Sequence, residues 1–367
     1  MQSSARIWRH FDVWLLAVVS MLTIAGVALI QSAIGGNENL AELVPRQAVY
    51  AAIGLGVVLV VAAVDYRHWS ALTRPIYLVT VALLGLILAA GFVGFGSARW
   101  FNVGIAYVQP SEVAKIGLIL VLAGYFSRHR EEIGRGRTIV RSVLILSLPA
   151  ALVFLQPDLK TTVILAIIWF SLAFAAGLSA KHLAVLATVA LLVPALSWPM
   201  LQDYQRGRII QFLFPDPNAQ WGDTYNVNQA RIAIGSGGWF GEGYGAGTQV
   251  QLRFLKVRHT DFIFSVLSEE FGFVGAVIVL LLLAFIIFRC LRAARLSRDT
   301  FGSLICYGVA VLLILQMSFN VAMNLNLFPV SGLTLPFLSY GGSSLVANLL
   351  GIGLVESVNL RQKRIEF

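Results

Sequence analysis

Residues 269–291 read EEFGFVGAVIVLLLLAFIIFRCL. A helix needs roughly 20 mostly apolar residues to cross the bilayer core, about 30 Å thick, because every backbone polar group there must be paired internally. This run meets the demand, and so does DVWLLAVVSMLTIAGVALIQS at 12–32. Working outward, further segments lie at approximately 47–65, 75–95, 112–126, 139–155, 160–178, 182–200, 302–323 and 338–357, some short enough to be embedded half-helices. The fold class this predicts is an all-α polytopic membrane protein of about ten transmembrane helices, with a large extracytoplasmic loop between helices 7 and 8. Composition agrees. With 367 residues, 58% hydrophobic and only 12% charged, and a mean hydropathy of +0.79, the chain lacks the polar surface to cover a soluble globule.

Lys and Arg alternate between the two sets of connections, and cytoplasmic loops collect positive charge. One set holds Arg6, Arg9, Arg67, Arg74, Arg128, Arg130, Arg135, Arg137, Arg141, Lys181, Arg289, Arg292, Arg295, Arg298, Arg361, Lys363 and Arg364. The other holds only Arg46, Arg99 and Lys160 outside the long loop. Both termini are therefore expected in the cytoplasm, and the chain among membrane lipids. The net charge of +9 is a consequence of this topology and does not point to nucleic acid. The first segment follows Arg6 and Arg9 as a signal sequence would, but its apolar run is too long and more spans follow, so it reads as a retained anchor. Cys290 and Cys306 fall near the predicted cytoplasmic ends of neighbouring helices; no disulfide framework or zinc site is supported.

Residues 201–268 form the long external segment, rich in Gly, Asn, Gln, Trp and Tyr. Its aromatics, Tyr204, Phe212, Trp221, Trp239 and Phe240 among them, argue for a folded cap at the membrane surface. Gly237, Gly238, Gly241, Gly243, Gly245 and Gly247 resemble a phosphate cradle but lack the Gly-Lys-Ser/Thr ending, so turns and close backbone approach explain them better.

Charges in a bilayer cost about 2.5–3.5 kcal/mol each on the insertion scale, so they face a partner or a cavity. In Gln109-Pro110-Ser111-Glu112-Val113-Ala114-Lys115, Pro110 suits a first helical turn and the spacing puts Glu112 and Lys115 on one face. They read as an internal ion pair or an anionic-headgroup site. Asp158, in Gln156-Pro157-Asp158-Leu159-Lys160, is either an N-cap or a site residue. Arg99, Trp100 and Arg46 share the external side, where Arg binds phosphate and Trp anchors at the interface. Arg258-His259-Thr260-Asp261 places a carboxylate at the water–membrane boundary, where burial raises its pKa and cationic neighbours lower it. Leu335-Pro336-Phe337-Leu338-Ser339-Tyr340-Gly341-Gly342-Ser343-Ser344 breaks an apolar region, and irregular backbone at that depth survives where protein or water satisfies it.

These stretches, in this order and spacing from Arg46-Gln47 to Gly351-Ile352-Gly353, resemble the SEDS (shape, elongation, division, sporulation) family. The resemblance implies a single SEDS-type transmembrane domain over 1–367, with 201–268 an extracytoplasmic loop region within it. It also implies a peptidoglycan glycosyltransferase that polymerises lipid II into glycan strands at the outer face of a bacterial cytoplasmic (inner) membrane, releasing undecaprenyl diphosphate with inversion. Asp261 then matches the catalytic carboxylate. Arg46, Arg99, Trp100, Glu112, Lys115, Asp158, His259, Thr260, Ser339, Gly341, Gly342 and Ser343 are the expected substrate-binding positions. The implied partner is a class B penicillin-binding protein, a transpeptidase. No metal-ligand cluster identifies a cofactor, though a divalent cation could share the neutralisation of the diphosphate. Tyr225-Asn226-Val227-Asn228-Gln229 and Gly247-Thr248-Gln249 look like the elongation branch, RodA, whereas Gly332-Leu333-Thr334-Leu335-Pro336 leans toward the division branch, FtsW; the RodA reading is preferred. Lys160, Lys256 and Asn326 stand where the family more often has Gly, Pro and Gly. A lipid II flippase or another transporter is the competing class, and it would place its site near the midplane rather than at the external side.

Overall fold

The computed structural model describes residues 10–90, 92–94, 97–102, 107–216 and 219–362; Arg6, Arg9, Lys363 and Arg364 of the basic set lie outside them. Every apolar segment holds a helix. In chain order these are α1 (Val13–Ile34), α2 (Leu43–Ala63), the short α3 (Tyr66–Ala71), α4 (Thr73–Ala90), α5 (Pro110–Arg128), α6 (Gly136–Leu155), α7 (Leu159–Ala175) and α8 (Ala180–Ser197). The long segment folds into α9 (Asp203–Leu213), α10 (Gly222–Ser236) and α11 (Thr248–Gln251), and the chain ends with α12 (Ile263–Leu296), α13 (Thr300–Asn324) and α14 (Gly342–Asn359). Among the described residues six of them, α1, α2, α5, α6, α12 and α13, are long and apolar enough to cross a membrane, and α4 and α7 are shorter apolar helices. The protein is a multi-pass membrane protein. Exposed Trp14, Ile24, Val60, Leu78, Leu144, Phe174 and Leu281 form its outer surface, which suits hydrocarbon and would be an aggregation hazard in water.

At the centre stands α5. In its most apolar window 89% of the residues are buried, against 22% in α6, and α4, α6, α7, α13 and α14 surround it. That position explains why α5 is the least apolar of the six spans: a helix covered by protein rather than lipid can carry Ser111, Glu112 and Lys115. Small residues permit close packing. A Cβ on Gly308 of α13 would lie 2.7 Å from Ile119 of α5, and one on Gly351 of α14 would lie 3.3 Å from Ile116.

Two boundaries differ from the sequence expectation. The segment 75–95 stops as a helix at Ala90, and β1 (Phe92–Gly94), β2 (Ser97–Asn102) and β3 (Tyr107–Val108) form a small antiparallel sheet with Phe92 opposite Trp100 and Phe101 opposite Val108. A handful of apolar residues cannot be told from a helix end by hydropathy alone. The eighth span begins six residues earlier than expected, at Ile263, and is kinked at Gly272, where φ is 65° and ψ is −167°. The glycine-rich stretch pairs the backbone groups that the kink frees. Glu242 and Gly243 donate to the Glu269 and Glu270 carbonyls at 2.9 and 3.0 Å, while Phe273 and Val274 donate to Gly238 and Trp239 at 2.8 and 3.1 Å. Only glycine fits this approach, since a Cβ on Gly237 would sit 2.0 Å from the Ser268 carbonyl oxygen and one on Gly241 2.2 Å from that of Glu270. The turn-and-close-approach reading of the glycines describes what they do.

Candidate active site around Asp261

Asp261 lies in the turn that feeds α12, at the end of the bundle that carries α9 to α11. Its backbone is held from several sides. Its carbonyl accepts from Asn320 Nδ2 at 3.0 Å and Asn324 Nδ2 at 3.1 Å, both on α13, and its N–H and that of Thr260 donate to the Val257 carbonyl. Val257 has a φ of 52°, a conformation costly for a β-branched residue, so the turn keeps a shape that local preference would not choose. Arg258, buried, donates to the carbonyls of Ala33, Ile34 and Leu255, which closes the C-terminal end of α1 with a cation.

The broken segment before α14 is the other wall. Ser339 Oγ donates to the Thr260 carbonyl at 2.7 Å and accepts from the Leu335 N–H; Tyr340 N–H donates to the His259 carbonyl at 2.9 Å. Gln47 of α2, buried, donates to the Ser339 carbonyl and accepts from the Gly341 N–H, each at 3.3 Å. Gly342 is needed for space, because a Cβ there would come 2.4 Å from the Tyr50 ring. Ser339, Gly341 and Gly342 therefore shape and brace the Asp261 turn.

The Asp261 side chain is half-buried. Burial pushes its carboxyl above the ordinary carboxylate range, Lys160 pulls it back most strongly, Arg208 and the Thr260 hydroxyl pull in the same direction, and Asp223 opposes them. Lys160 Nζ donates to the Gly332 carbonyl, and a Cβ on Gly332 would lie 3.4 Å from that nitrogen and 3.5 Å from Asp261 Oδ2. The cation and the carboxylate thus flank one glycine. His259 packs edge-on to Tyr340 with centroids 5.9 Å apart; burial and the charge of Arg258 lower its pKa to about 4, so its ring is neutral at pH 7. A carboxylate shifted upward and flanked by cations at the end of a bundle is suited to take a proton while charge develops beside it.

A second polar cluster adjoins the first. Asp158 caps α7, accepting from Thr161 N–H at 3.3 Å and Thr161 Oγ1 at 2.9 Å, and also from Gln109 Nε2 and Ser111 Oγ. Ser343 Oγ accepts from Gln109 N–H and donates to the Tyr107 carbonyl. Lys115 Nζ meets Glu112 Oε2 at 2.7 Å, with both side chains buried. The N-cap role of Asp158 and the ion pair of Glu112 with Lys115 are present as contacts. Two short segments join the clusters: 158–161, with Asp158 in one and Lys160 in the other, and 339–343, with Ser339 in one and Ser343 in the other. Arg46 pairs with Glu42 at 2.6 Å, Trp100 is half-buried on β2, and the side chain of Arg99 on the same strand lies outside the described residues.

Sequence reasoning missed Gln47, Gln109, Asn320 and Asn324 as parts of this assembly, and Arg208 and Asp223 as charges that Asp261 feels. The available signal was polar residues inside apolar helices. It noticed Lys160 only as a departure; the side chain enters the site. Asn326, also a departure, has a φ of 59°, a left-handed conformation that Asn tolerates in place of Gly, and Lys256 stands over the Trp221 ring at 4.0 Å. Among the described residues no group of three His, Cys, Asp or Glu side chains is arranged to hold a metal ion, and Cys290 and Cys306 are free and buried.

Residues 8–364 match the family model FTSW_RODA_SPOVE, described as a cell cycle protein. The peptidoglycan glycosyltransferase MrdB of Escherichia coli K12 is 36% identical over 357 residues, spanning 97% of this chain and 95% of that protein. Among solved structures, a chain from a peptidoglycan synthase complex that coordinates polymerization and crosslinking superposes with a TM-score of 0.81 at 33% identity, covering 95% of this chain and 97% of its own. The rod shape determining protein RodA of Thermus thermophilus superposes at 0.73 with 31% identity, covering 96% and 98%.

Proposed function

The chain belongs to the FtsW, RodA and SpoVE family of cell cycle proteins, and we propose that it is the elongation-type peptidoglycan glycosyltransferase, polymerising lipid II with Asp261 as general base. The observation that carries this reading is the half-buried Asp261 carboxylate facing Lys160 across Gly332, with burial holding the carboxyl above its ordinary range and Lys160 and Arg208 pulling it back. In the reaction the GlcNAc 4-hydroxyl of one glycan attacks the MurNAc anomeric carbon of another. Asp261 accepts the hydroxyl proton, the new glycosidic bond forms with inversion, and undecaprenyl diphosphate leaves with the bonding electrons. Lys160 is the better placed cation for the charge that grows on the diphosphate, since Arg208 is paired with Asp223. Arg46 and Lys115 are engaged with Glu42 and Glu112; Lys115, with Asp158, Gln109 and Ser343, builds the wall behind the reacting groups. A divalent cation would supply further neutralisation of the diphosphate; among the described residues no group of three His, Cys, Asp or Glu side chains is gathered to hold one.

The distribution of Lys and Arg supports placing both termini in the cytoplasm and Asp261 at the outer face of the cytoplasmic membrane, where lipid II is presented. The solved neighbours support the elongation branch, one being a rod shape determining protein. The other belongs to a complex coordinating polymerization with crosslinking, and a class B penicillin-binding protein is accordingly the expected partner. That Asp261 precedes a helix end, with Asn320 and Asn324 at the last turn of α13, favours an enzyme over a transporter with a midplane site.

The test is polymerisation of purified lipid II by the detergent-solubilised protein together with its penicillin-binding partner. Asp261→Asn should lower the rate about 10²- to 10⁴-fold with the thermal midpoint little changed. Wild-type activity in this variant removes Asp261 from the mechanism; inactivity of the wild type, with lipid movement in liposomes, replaces the polymerase by a transporter.

A further inference from the structure

A cleft of about 320 Å³ opens between α9, α10 and the turn 326–330, a volume at the small end of ligand sites. Val227 and Asn228 of the 225–229 run line it, as does Asn326. Its charged groups balance: Arg208 and Arg231 are offset by Asp216 and Asp223, with Arg208 Nε and Asp223 Oδ2 3.1 Å apart. A site of zero net charge is poor at holding a diphosphate, which draws on unopposed cations. Its other lining is of two kinds. Phe212 and Phe328 supply apolar ring faces, while Asn228 supplies an amide. Phe328 is itself held, stacked on Phe319 with centroids 4.8 Å apart and planes 14° from parallel. Flat apolar faces beside paired charges and amides are what a sugar ring requires, since it presents an apolar C–H face and an edge of hydroxyls that both donate and accept.

The cleft is also tied to the reacting carboxylate through its lining. Its wall ends at Val330, two residues before the Gly332 that Asp261 and Lys160 flank. Arg208 and Asp223 line the cleft and act electrostatically on Asp261.

We propose that the cleft between α9, α10 and the turn 326–330 is a saccharide subsite, binding an uncharged N-acetylated sugar of one glycan reactant and turning its hydroxyl edge toward Asp261. This rests on the glycosyltransferase reading and adds to it the residues that seat the sugar, apart from those that meet the diphosphate. Phe328 and Phe212 take the ring face, and Asn228 with the Arg208–Asp223 pair takes hydroxyls and the acetamido group.

Two measurements test it. The first is saturation-transfer NMR of N,N′-diacetylchitobiose, an uncharged glycan probe, on the detergent-solubilised wild type. Binding that inorganic pyrophosphate does not displace is expected; absence of binding, or displacement by pyrophosphate, overturns the assignment. The second is steady-state polymerisation by Asn228→Ala and Phe328→Ala, which should raise KM for lipid II about tenfold and lower kcat less than that. An unchanged KM in both, with melting midpoints like the wild type, overturns it as well. If a variant does not fold, the wild-type binding measurement decides. Wild-type protein that binds the disaccharide but forms no strands refutes the polymerase reading and leaves the sugar subsite standing.

Discussion

Lys160 is the residue whose removal is most informative. Asp261 must be ionised to act as a base, and its pKa is raised, so the rate is full above that pKa and is lost as pH falls through it. Lys160 exerts the largest downward pull on that pKa. Lys160→Met should therefore move the acid limb of the kcat/KM profile to higher pH, and Arg208→Gln should do so by less; a profile that stays in place shows that the Lys160 charge does not reach Asp261. His259 gives a test of stability rather than rate. Its folded pKa is depressed from 6.5 to about 4, so the stability it contributes is present above 6.5 and lost as pH drops toward 4. The thermal midpoint should fall over that window, and His259→Gln should flatten the fall; equal slopes in the two proteins would contradict a buried neutral imidazole.

At the scale of the element, α12 shows how a break in a helix is accommodated. Gly272 opens the backbone, and the stretch 238–243 satisfies the four groups that are released. A Cβ on Gly272 would lie 2.4 Å from Gly241 N in a left-handed conformation, so Gly272→Ala should cost at least about 1–3 kcal/mol. Gly85 in α4 has open space around it, and Gly85→Ala should be neutral or stabilise by up to about 1 kcal/mol. Thermal melts of the two in detergent check the contrast, and equal midpoints would mean that the kink is not held by this contact. The same elements position chemistry: the pair of Asn side chains at the end of α13 and Ser339 before α14 grip opposite sides of the Asp261 turn.

For the whole molecule, the central helix carries the largest electrostatic risk. Lys115 and Glu112 are both buried and meet at 2.7 Å. Removing one partner strands the other charge, so Lys115→Met should destabilise by about 3–5 kcal/mol, while the double change Lys115→Met with Glu112→Leu should recover most of the loss. Midpoints measured for the wild type, the single variant and the double variant decide this, and a double variant no better than the single would show that the pair acts through something other than charge compensation. Around this pillar the apolar exterior needs no internal partner, because lipid covers it.

Hydropathy alone determined the ten helical segments, since the demand to pair backbone groups in hydrocarbon leaves helix as the only solution for runs such as 12–32 and 269–291. The Arg258 to Asp261 turn was legible as a carboxylate beside a cation at a span boundary, because those residue types stand together in the chain. The β1–β2–β3 sheet was not, its short apolar strands being indistinguishable by hydropathy from the end of α4. Nor were the partners of the site. Gln47 meets Ser339 across 292 residues of sequence, and Asn324 meets Asp261 across 63. Spacing along a chain carries no information about such pairs. Only the packing of α2, α13 and the broken segment before α14 brought them together, and only it turned Lys160 from a local oddity into the cation beside the carboxylate.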